Sequence, residues 1–308
     1  MQILVLGSAA GGGFPQWNCT GLKCRRARAG DPAASPRTQS SLAVSADGER
    51  WLLLNASPDL RQQIIANPAL HPRRGNRHSP IVGVVLSNGD VDHVAGLLTL
   101  RENQALAVYA SDRVHGVLRD NSVFNVLNPA VVARRTLPLD SAVNIGGFDG
   151  APIGLRVTAF EVPGKVALYL ENKKAGPGFG TQSGDTVGLE IRAADGRHFF
   201  YLPACAALTP ELGARLRDAP LAFFDGTLWQ DDEMVSAGVG AKTGRRMGHM
   251  SIAGEDGSLA QLAALGVRRR IYVHINNTNP ILLAGSPERL QVEAAGWEVA
   301  YDGMEIKL

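Results

Sequence analysis

The chain is poor in the features that mark several large classes of protein. It has no apolar run near the roughly 18 residues that a membrane helix needs. Its opening, Met1 to Gly7, has no basic stretch ahead of a short apolar run, so it does not read as a signal peptide. A cytoplasmic location is therefore expected. Cysteine is scarce: three residues, an odd number, too few for a disulfide scaffold. Neither sign of charge dominates, with 31 basic and 29 acidic residues and a net charge of +2. That balance argues against a dedicated nucleic-acid binder and against a highly charged disordered chain.

What is present suits a folded protein. The 308 residues are 45% hydrophobic, enough for a sizeable core. Glycine is abundant at 35 residues, which implies many tight turns. No convincing linker and no fixed-period repeat interrupts the chain, so one domain over residues 1–308 is expected. The Pro-containing stretch 67–80 and the glycine-rich stretch 173–185 read as long loops.

Short runs rich in Val, Ile, Leu, Phe and Tyr, bounded by turn residues, predict strands. They cover Gln2–Leu6, Ser41–Val44, Trp51–Leu54, Ile81–Leu86, Ala107–Tyr109, Leu155–Val162, Val166–Tyr169, Val187–Arg192, His198–Leu202, Leu221–Phe224, Arg270–His274 and Trp297–Tyr301. Ser57-Pro58, Thr209-Pro210 and Ser286-Pro287 read as helix starts, and Ser251 as the cap of a helix over Ile252–Leu265. Strands first, then strands mixed with helices, suit a two-sheet core with helices outside.

Two familiar motifs fail. The turn Gly7-Ser-Ala-Ala-Gly-Gly-Gly13 has Ala9 where a dinucleotide fingerprint needs glycine, and no lysine where a P-loop needs one. It reads as a turn packed against other backbone. No Gly-x-Ser-x-Gly elbow is present, so Ser/His/Asp catalysis has no anchor.

The informative stretch is Ser87-Asn88-Gly-Asp90-Val-Asp92-His93-Val-Ala-Gly-Leu97, directly after an apolar strand. Alternate carboxylates entering a loop can converge on one point, and His93 adds an imidazole. Such a set suits divalent Fe, Mn or Zn. The same residues also suit a turn, with Asp92 capping the next helix. A second imidazole, His274, ends the strand Arg270–His274 and runs into Ile-Asn276-Asn277-Thr-Asn279. Two histidines and one carboxylate with open positions form the ligand pattern of non-haem Fe(II) oxygenases. Asp225, at the end of another apolar strand, and His249, before a helix, are further candidates, though each segment equally suits plain turn chemistry. His249 suits acid–base work because imidazole titrates near neutrality. Asp225 and Asn276 are expected beside the reacting centre, with Asn88 and Asn277 against substrate.

Taken together these strings resemble the metallo-β-lactamase superfamily. Its His-x-His-x-Asp-His motif reads here Asn88-Gly-Asp90-Val-Asp92-His93, and its last histidine matches His274. Val162-Pro-Gly164 stands where a further histidine would be, and Tyr201-Leu-Pro-Ala204-Cys205 where an aspartate would be. Within the superfamily the chain resembles the coenzyme PQQ synthesis protein B family along essentially its whole length. The carrying strings include Leu4 to Cys19, Phe224-Asp-Gly-Thr-Leu-Trp229, Gly248-His-Met-Ser251, His274 to Pro280 and Asp302-Gly-Met-Glu-Ile306.

The resemblance implies an αββα four-layer sandwich of α/β (α+β) class. It implies a role in pyrroloquinoline quinone (PQQ) biosynthesis, with iron- and O2-dependent hydroxylation of a tyrosine derived from the precursor peptide. The metal would be Fe(II), on Asp90, Asp92, His93 and His274, with Zn or Mn able to use the same site. A non-catalytic carrier for PQQ or an intermediate, drawing on Arg73, Arg74 and Arg77 or on Arg245 and Arg246, is the competing implication. A dinuclear zinc hydrolase would need ligands this chain lacks. Relatives carry Cys-x-Cys-x-x-Cys on a structural zinc, a motif associated with a homodimer. Here Gly21 replaces the middle cysteine, leaving Cys19 and Cys24 where zinc prefers four ligands.

Overall fold

The computed structural model describes residues 1–176 and 178–308. Among the described residues, fourteen strands form two sheets of seven. The first six are β1 (Gln2–Gly7), β2 (Ser41–Ser45), β3 (Trp51–Leu54), β4 (Ile81–Val85), β5 (Leu106–Ala110) and β6 (Val132–Thr136). The next seven are β7 (Ala142–Gly146), β8 (Pro152–Glu161), β9 (Val187–Ala193), β10 (His198–Leu202), β11 (Ala222–Asp225), β12 (Arg270–Val273) and β13 (Trp297–Val299). The last, β14 (Glu305–Lys307), returns to the edge of the first sheet beside β1.

The two sheets share one plan. Their orders are β14-β1-β2-β3-β4-β5-β6 and β13-β12-β11-β10-β9-β8-β7. In each, a run of antiparallel pairs gives way to a parallel run: β3 to β6 in the first and β10 to β13 in the second. Parallel strands need crossovers, and helices supply them.

Three apolar layers explain the sandwich. Between the sheets lie Val5, Val44, Leu54 and Val85 of the first and Val157, Ile191, Phe223 and Val273 of the second. Strand β8 shows the pattern: Ile153, Leu155, Val157 and Ala159 are buried while the residues between them face outward. The helices Leu60–Ala66 and Asp112–Asp120 cover the first sheet, burying Leu60, Val114 and Leu118 on Leu53, Val84 and Val108. The helices Pro210–Leu216 and Pro287–Ala294 cover the second, burying Leu212, Leu216 and Val292 on Phe200, Phe224 and Trp297. The order helix, sheet, sheet, helix is the expected one. No helix among the described residues is long and apolar enough to cross a membrane.

Several local expectations need correction. Val166–Tyr169 is no strand. Its backbone runs as a loop with one tight turn at Leu168–Leu170, and Leu168 and Tyr169 are exposed. Ser251 caps no long helix; a short one starts at Ser258. The turn Ser57-Pro58 precedes a helix that begins at Leu60. Strands β6, β7 and β14 had too few apolar residues to stand out, because β6 and β7 are sheet edges at the far end and β14 at the near one. By contrast, Thr209 and Ser286 cap their helices as expected, accepting from the N–H groups of Leu212 and Arg289.

Candidate metal centre

The candidate residues meet where the parallel strands β4, β11 and β12 end. Loops at carboxyl ends of parallel strands are free to carry polar groups, since the ladder no longer uses their backbone. The loop after β4 is anchored first. Asn55 accepts from the Ser87 N–H at 2.9 Å and donates to Ser87 Oγ at 3.0 Å. Its own backbone is left-handed, φ 64°, a conformation that asparagine tolerates. Asn88 Oδ1 then accepts from the Asp90 N–H and from His93 Nδ1, at 3.0 and 2.7 Å. An amide oxygen only accepts, so His93 carries its proton on Nδ1. His93 Nε2 is thereby left as a bare lone pair, buried and without a partner.

His274 comes from the other sheet. Its backbone also lies in the left-handed region, φ 56°, unusual for a non-glycine residue and of a kind that collects at functional sites. That turn aims Nε2 at Asp92 Oδ2, 3.0 Å away. The Thr227 hydroxyl lies 2.8 Å from His274 Nδ1, 2.6 Å from Asp225 Oδ1 and 3.1 Å from His249 Nδ1. A hydroxyl has one proton, and the short contact to the carboxylate takes it. His274 Nδ1 therefore donates to Thr227. Gly226 permits this crossing: a Cβ there would stand 2.9 Å from Tyr272 Cβ and 3.0 Å from the Val273 oxygen.

Two donor triads result, both containing His274. In one, ligand atoms of Asp92, His93 and His274 lie within 4.8 Å of one another; in the other, those of Asp225, His249 and His274 do. The three imidazoles form a row, with ring centres 5.2 Å apart at each step. The second triad is closed on itself. His249 Nδ1 donates to Asp225 Oδ2 at 2.6 Å, and Asp225 also receives the Cys205 N–H, the Thr227 N–H and the Thr227 hydroxyl. The first triad is open, because His93 Nε2 has no hydrogen-bond partner.

Charge follows the same division. Burial pushes the His93 imidazole down to about 4, with Asp92 opposing, so the ring stays neutral at pH 7. Burial would lower His274 as well, but the hydrogen bond and charge of Asp92 outweigh it and raise that ring. Burial alone would raise Asp92; the His93 and His274 imidazoles overcome it and hold the carboxyl well below the usual range. Asp90, two residues away, is raised by burial and by the charge of Asp92.

The structure places the expected residues unequally. Asp92, His93 and His274 converge. Asp90 lines the same cavity but stands outside the triad, its Oδ1 accepting from the Leu168 N–H at 3.1 Å. Asn88 faces His93, so its amide orients a ring. Asn276 lines the cavity and donates to Thr278 Oγ1. Asn277, expected against substrate, is buried with its amide toward Cys24 Sγ at 3.4 Å and does not line the cavity. Cys19 and Cys24 do not fit a structural zinc: among the described residues no cysteine joins a group of three potential ligands. Thr227, Asn55, Lys165 and Lys242 were missed. The only signal for Thr227 was its place in Phe224-Asp-Gly-Thr227, two residues past a candidate carboxylate.

The open triad faces a cavity of about 450 Å³. Gly11 and Gly12 of the opening turn line it, as does Ala204, from a stretch where the superfamily places an aspartate. A larger cleft of about 770 Å³ runs past Asp231, Arg245 and Asp256, and none of the clustered imidazoles lines it.

The sequence model described as Beta-lactamase superfamily domain matches residues 50–275. The "Coenzyme PQQ synthesis protein B" of Rhodopseudomonas palustris (strain TIE-1) is 55% identical, with 100% of both chains covered. The chain belongs to the coenzyme PQQ synthesis protein B family. A crystal structure of Zn(2+)-bound PqqB from Methylobacterium extorquens is 53% identical, with 100% of both chains covered and a TM-score of 0.93. A diphosphatase from the PhnP family aligns over 100% of this chain and 97% of its own at 18% identity, with a TM-score of 0.68, which is a likeness of fold alone.

Proposed function

We propose that the protein acts in PQQ biosynthesis as a metal-dependent oxygenase that hydroxylates a tyrosine ring derived from the precursor peptide. The carrying observation is the buried, partnerless His93 Nε2, whose other nitrogen is already committed to Asn88. A buried polar atom left bare is costly unless something occupies it, and a neutral imidazole lone pair beside a carboxylate is a metal ligand. The Zn(2+) held by the Methylobacterium extorquens relative supports metal binding in this family.

Asp92 Oδ2, His93 Nε2 and His274 Nε2 would hold the ion, two imidazoles and one carboxylate with the cavity side open. Fe(II) in that set would supply the one-electron chemistry that O2 requires, and each hydroxylation would draw two further electrons from a reductant outside the protein, the second oxygen atom leaving as water. The remaining steps fall to the protein. Asn88 and Thr227 hold the two ligand rings by their Nδ1–H groups, fixing tautomer and direction. Val91, Leu168, Met234 and Met247 line the cavity with apolar surface suited to an aromatic ring. His249 donates Nδ1–H to Asp225, so Nε2 is the nitrogen left to take a proton from the ring. The lost superfamily ligands favour this reading over dinuclear hydrolysis, since Gly164 and Ala204 offer no donor for a second ion.

The test is an anaerobic Fe(II) load followed by O2, a two-electron reductant such as ascorbate and a tyrosine-containing substrate, read by mass spectrometry beside a His274→Ala control. Oxygen gained on the ring by the unmodified protein alone is the expected result. No gain with iron confirmed bound would overturn the oxygenase reading in favour of a carrier for PQQ or an intermediate.

A further inference from the structure

Cys19 and Cys24 form a pair of thiols outside the metal centre. Cys24 stands in the helix Leu22–Arg28 and is buried, while Cys19, in the loop before it, is only partly covered. One side chain folds that loop back on the helix. The Arg28 guanidinium donates to the carbonyls of Gln16, Trp17 and Cys19. The Cys19 N–H donates to the Gln16 carbonyl at 3.1 Å. The Cys19 side chain is thereby brought against Cys24, and the two thiols interact directly. Each sulfur also accepts from a nitrogen: Cys19 Sγ from the Gly21 N–H at 3.4 Å, and Cys24 Sγ from the Asn277 amide at 3.4 Å. Gly21 leaves room for this arrangement. A Cβ there would stand 3.3 Å from Cys19 Sγ and crowd the thiol.

Zinc prefers four ligands in a closed structural site, and among the described residues no third ligand joins this pair. Two adjacent thiols have another chemistry open to them. We propose that Cys19 and Cys24 are a reversible thiol–disulfide site, with Cys19 the attacking thiol, Cys24 the resolving one and a low-molecular-weight disulfide as oxidant. Cys19 attacks because solvent reaches its sulfur. Its thiolate displaces one thiol from the oxidant and leaves a mixed disulfide. Cys24 then attacks Cys19 Sγ and expels the second thiol. Two protein thiols are oxidised to one disulfide, the outside disulfide is reduced to two thiols, and the two cysteine protons end on those thiols. Burial pushes the Cys24 thiol up, which suits the partner that reacts second. Cys205 is the contrast. It is fully buried, its S–H donates to the Ala207 carbonyl at 3.2 Å, and burial raises it too. It should stay a thiol.

The test follows the three sulfurs separately. Reduced full-length protein is equilibrated with graded ratios of oxidised to reduced glutathione, quenched with acid, alkylated after denaturation and read by peptide mass spectrometry. The expected product is a Cys19–Cys24 cross-link within one chain, lighter than the dithiol by two hydrogen atoms and reversed by excess reduced glutathione, with Cys205 alkylated throughout. In Cys24→Ser the reaction should stop at a mixed disulfide on Cys19. In Cys19→Ser the adduct on Cys24 should form about tenfold more slowly or less. Equal rates in the two variants would overturn the order of attack. Thiols at both positions at full oxidation, or a cross-link between two chains, would overturn the site itself. So would a zinc ion on the reduced protein that survives in His93→Ala and is lost in Cys19→Ser, since the pair would then be metal ligands.

Discussion

Two triads of the same chemical kind sit side by side in this molecule, and their hydrogen bonding differs. Asp92, His93 and His274 leave the buried His93 Nε2 without a hydrogen-bond partner, whereas Asp225 and the Nδ1 atoms of His249 and His274 are tied together through Thr227. Distance alone does not separate them. The hydrogen-bond inventory does: His93 Nε2 is buried without a hydrogen-bond partner, whereas His249 Nδ1 is engaged by Asp225, and the His274 Nε2 contact to Asp92 is one that a metal would replace with release of a proton. The closed triad then serves the open one. It sets the His274 tautomer through Thr227 and gives His249 a fixed carboxylate partner.

That contrast breaks most sharply at the ligands. His93→Ala and His274→Ala should each abolish stoichiometric metal binding, measured by elemental analysis after dialysis, with the circular dichroism of the fold retained. Equal metal content in both variants and the unmodified protein would remove the open triad as the centre. Next in size, Asn88→Ala takes away the acceptor that orients His93 and should weaken metal affinity by about 10–100-fold. Thr227→Val should act on both triads at once. It strips the buried Asp225 and His274 of a partner, costing about 1–3 kcal/mol of stability by denaturant unfolding and about tenfold in metal affinity. His249→Ala sharpens the comparison from the other side. Its effect on metal affinity should stay below about tenfold while turnover is lost, since the ring belongs to the closed triad.

The smallest effect is expected beside the cavity, where Arg246 and Lys165 clasp Glu171. Glu171→Gln should speed hydrogen exchange in residues 165–171 without changing metal content. Arg246 foremost, with Lys165, holds the Glu171 carboxyl at about 2, below its usual value of 4.5. A depressed carboxyl stabilises the fold fully above about pH 4.5 and loses that contribution as the pH falls through about 2. Protection of this loop, with exchange referred to its intrinsic rate at each pH, should thus hold in the unmodified protein at pH 4 and fall only in stronger acid.

Much of the fold was legible because apolar runs bounded by glycine, proline and asparagine are local signals. Strands β1 to β5 and β8 to β13 all appeared among the expected runs. The failures were also local in origin. Val166–Tyr169 is apolar enough for a strand, yet Leu168 N–H is taken by Asp90 and Tyr169 Oη by Gly89, so the backbone is pinned as a loop against the site. Strands β6 and β7 carry arginine and asparagine at edges, where no second neighbour demands apolar residues.

The sequence by itself determined which atoms were available. The alternation of Asn88, Asp90 and Asp92 before His93, and a histidine closing a buried strand at 274, were readable because a strand delivers its last residues to a known end of a sheet. Only the tertiary structure decided which of them meet. Asp90 and Asp92 differ by one turn of the loop, yet one carboxyl reaches His274 and the other a backbone N–H of a distant loop. Asn277 and Asn276 are adjacent, yet one faces Cys24 and the other the cavity. Thr227 became the hub because the neighbouring parallel strands β11 and β12 end side by side, bringing His274 against the loop after Asp225, and no local pattern marks a threonine for that role. Hydrogen-bond partners hundreds of residues apart are set by packing, which a reading along the chain does not contain.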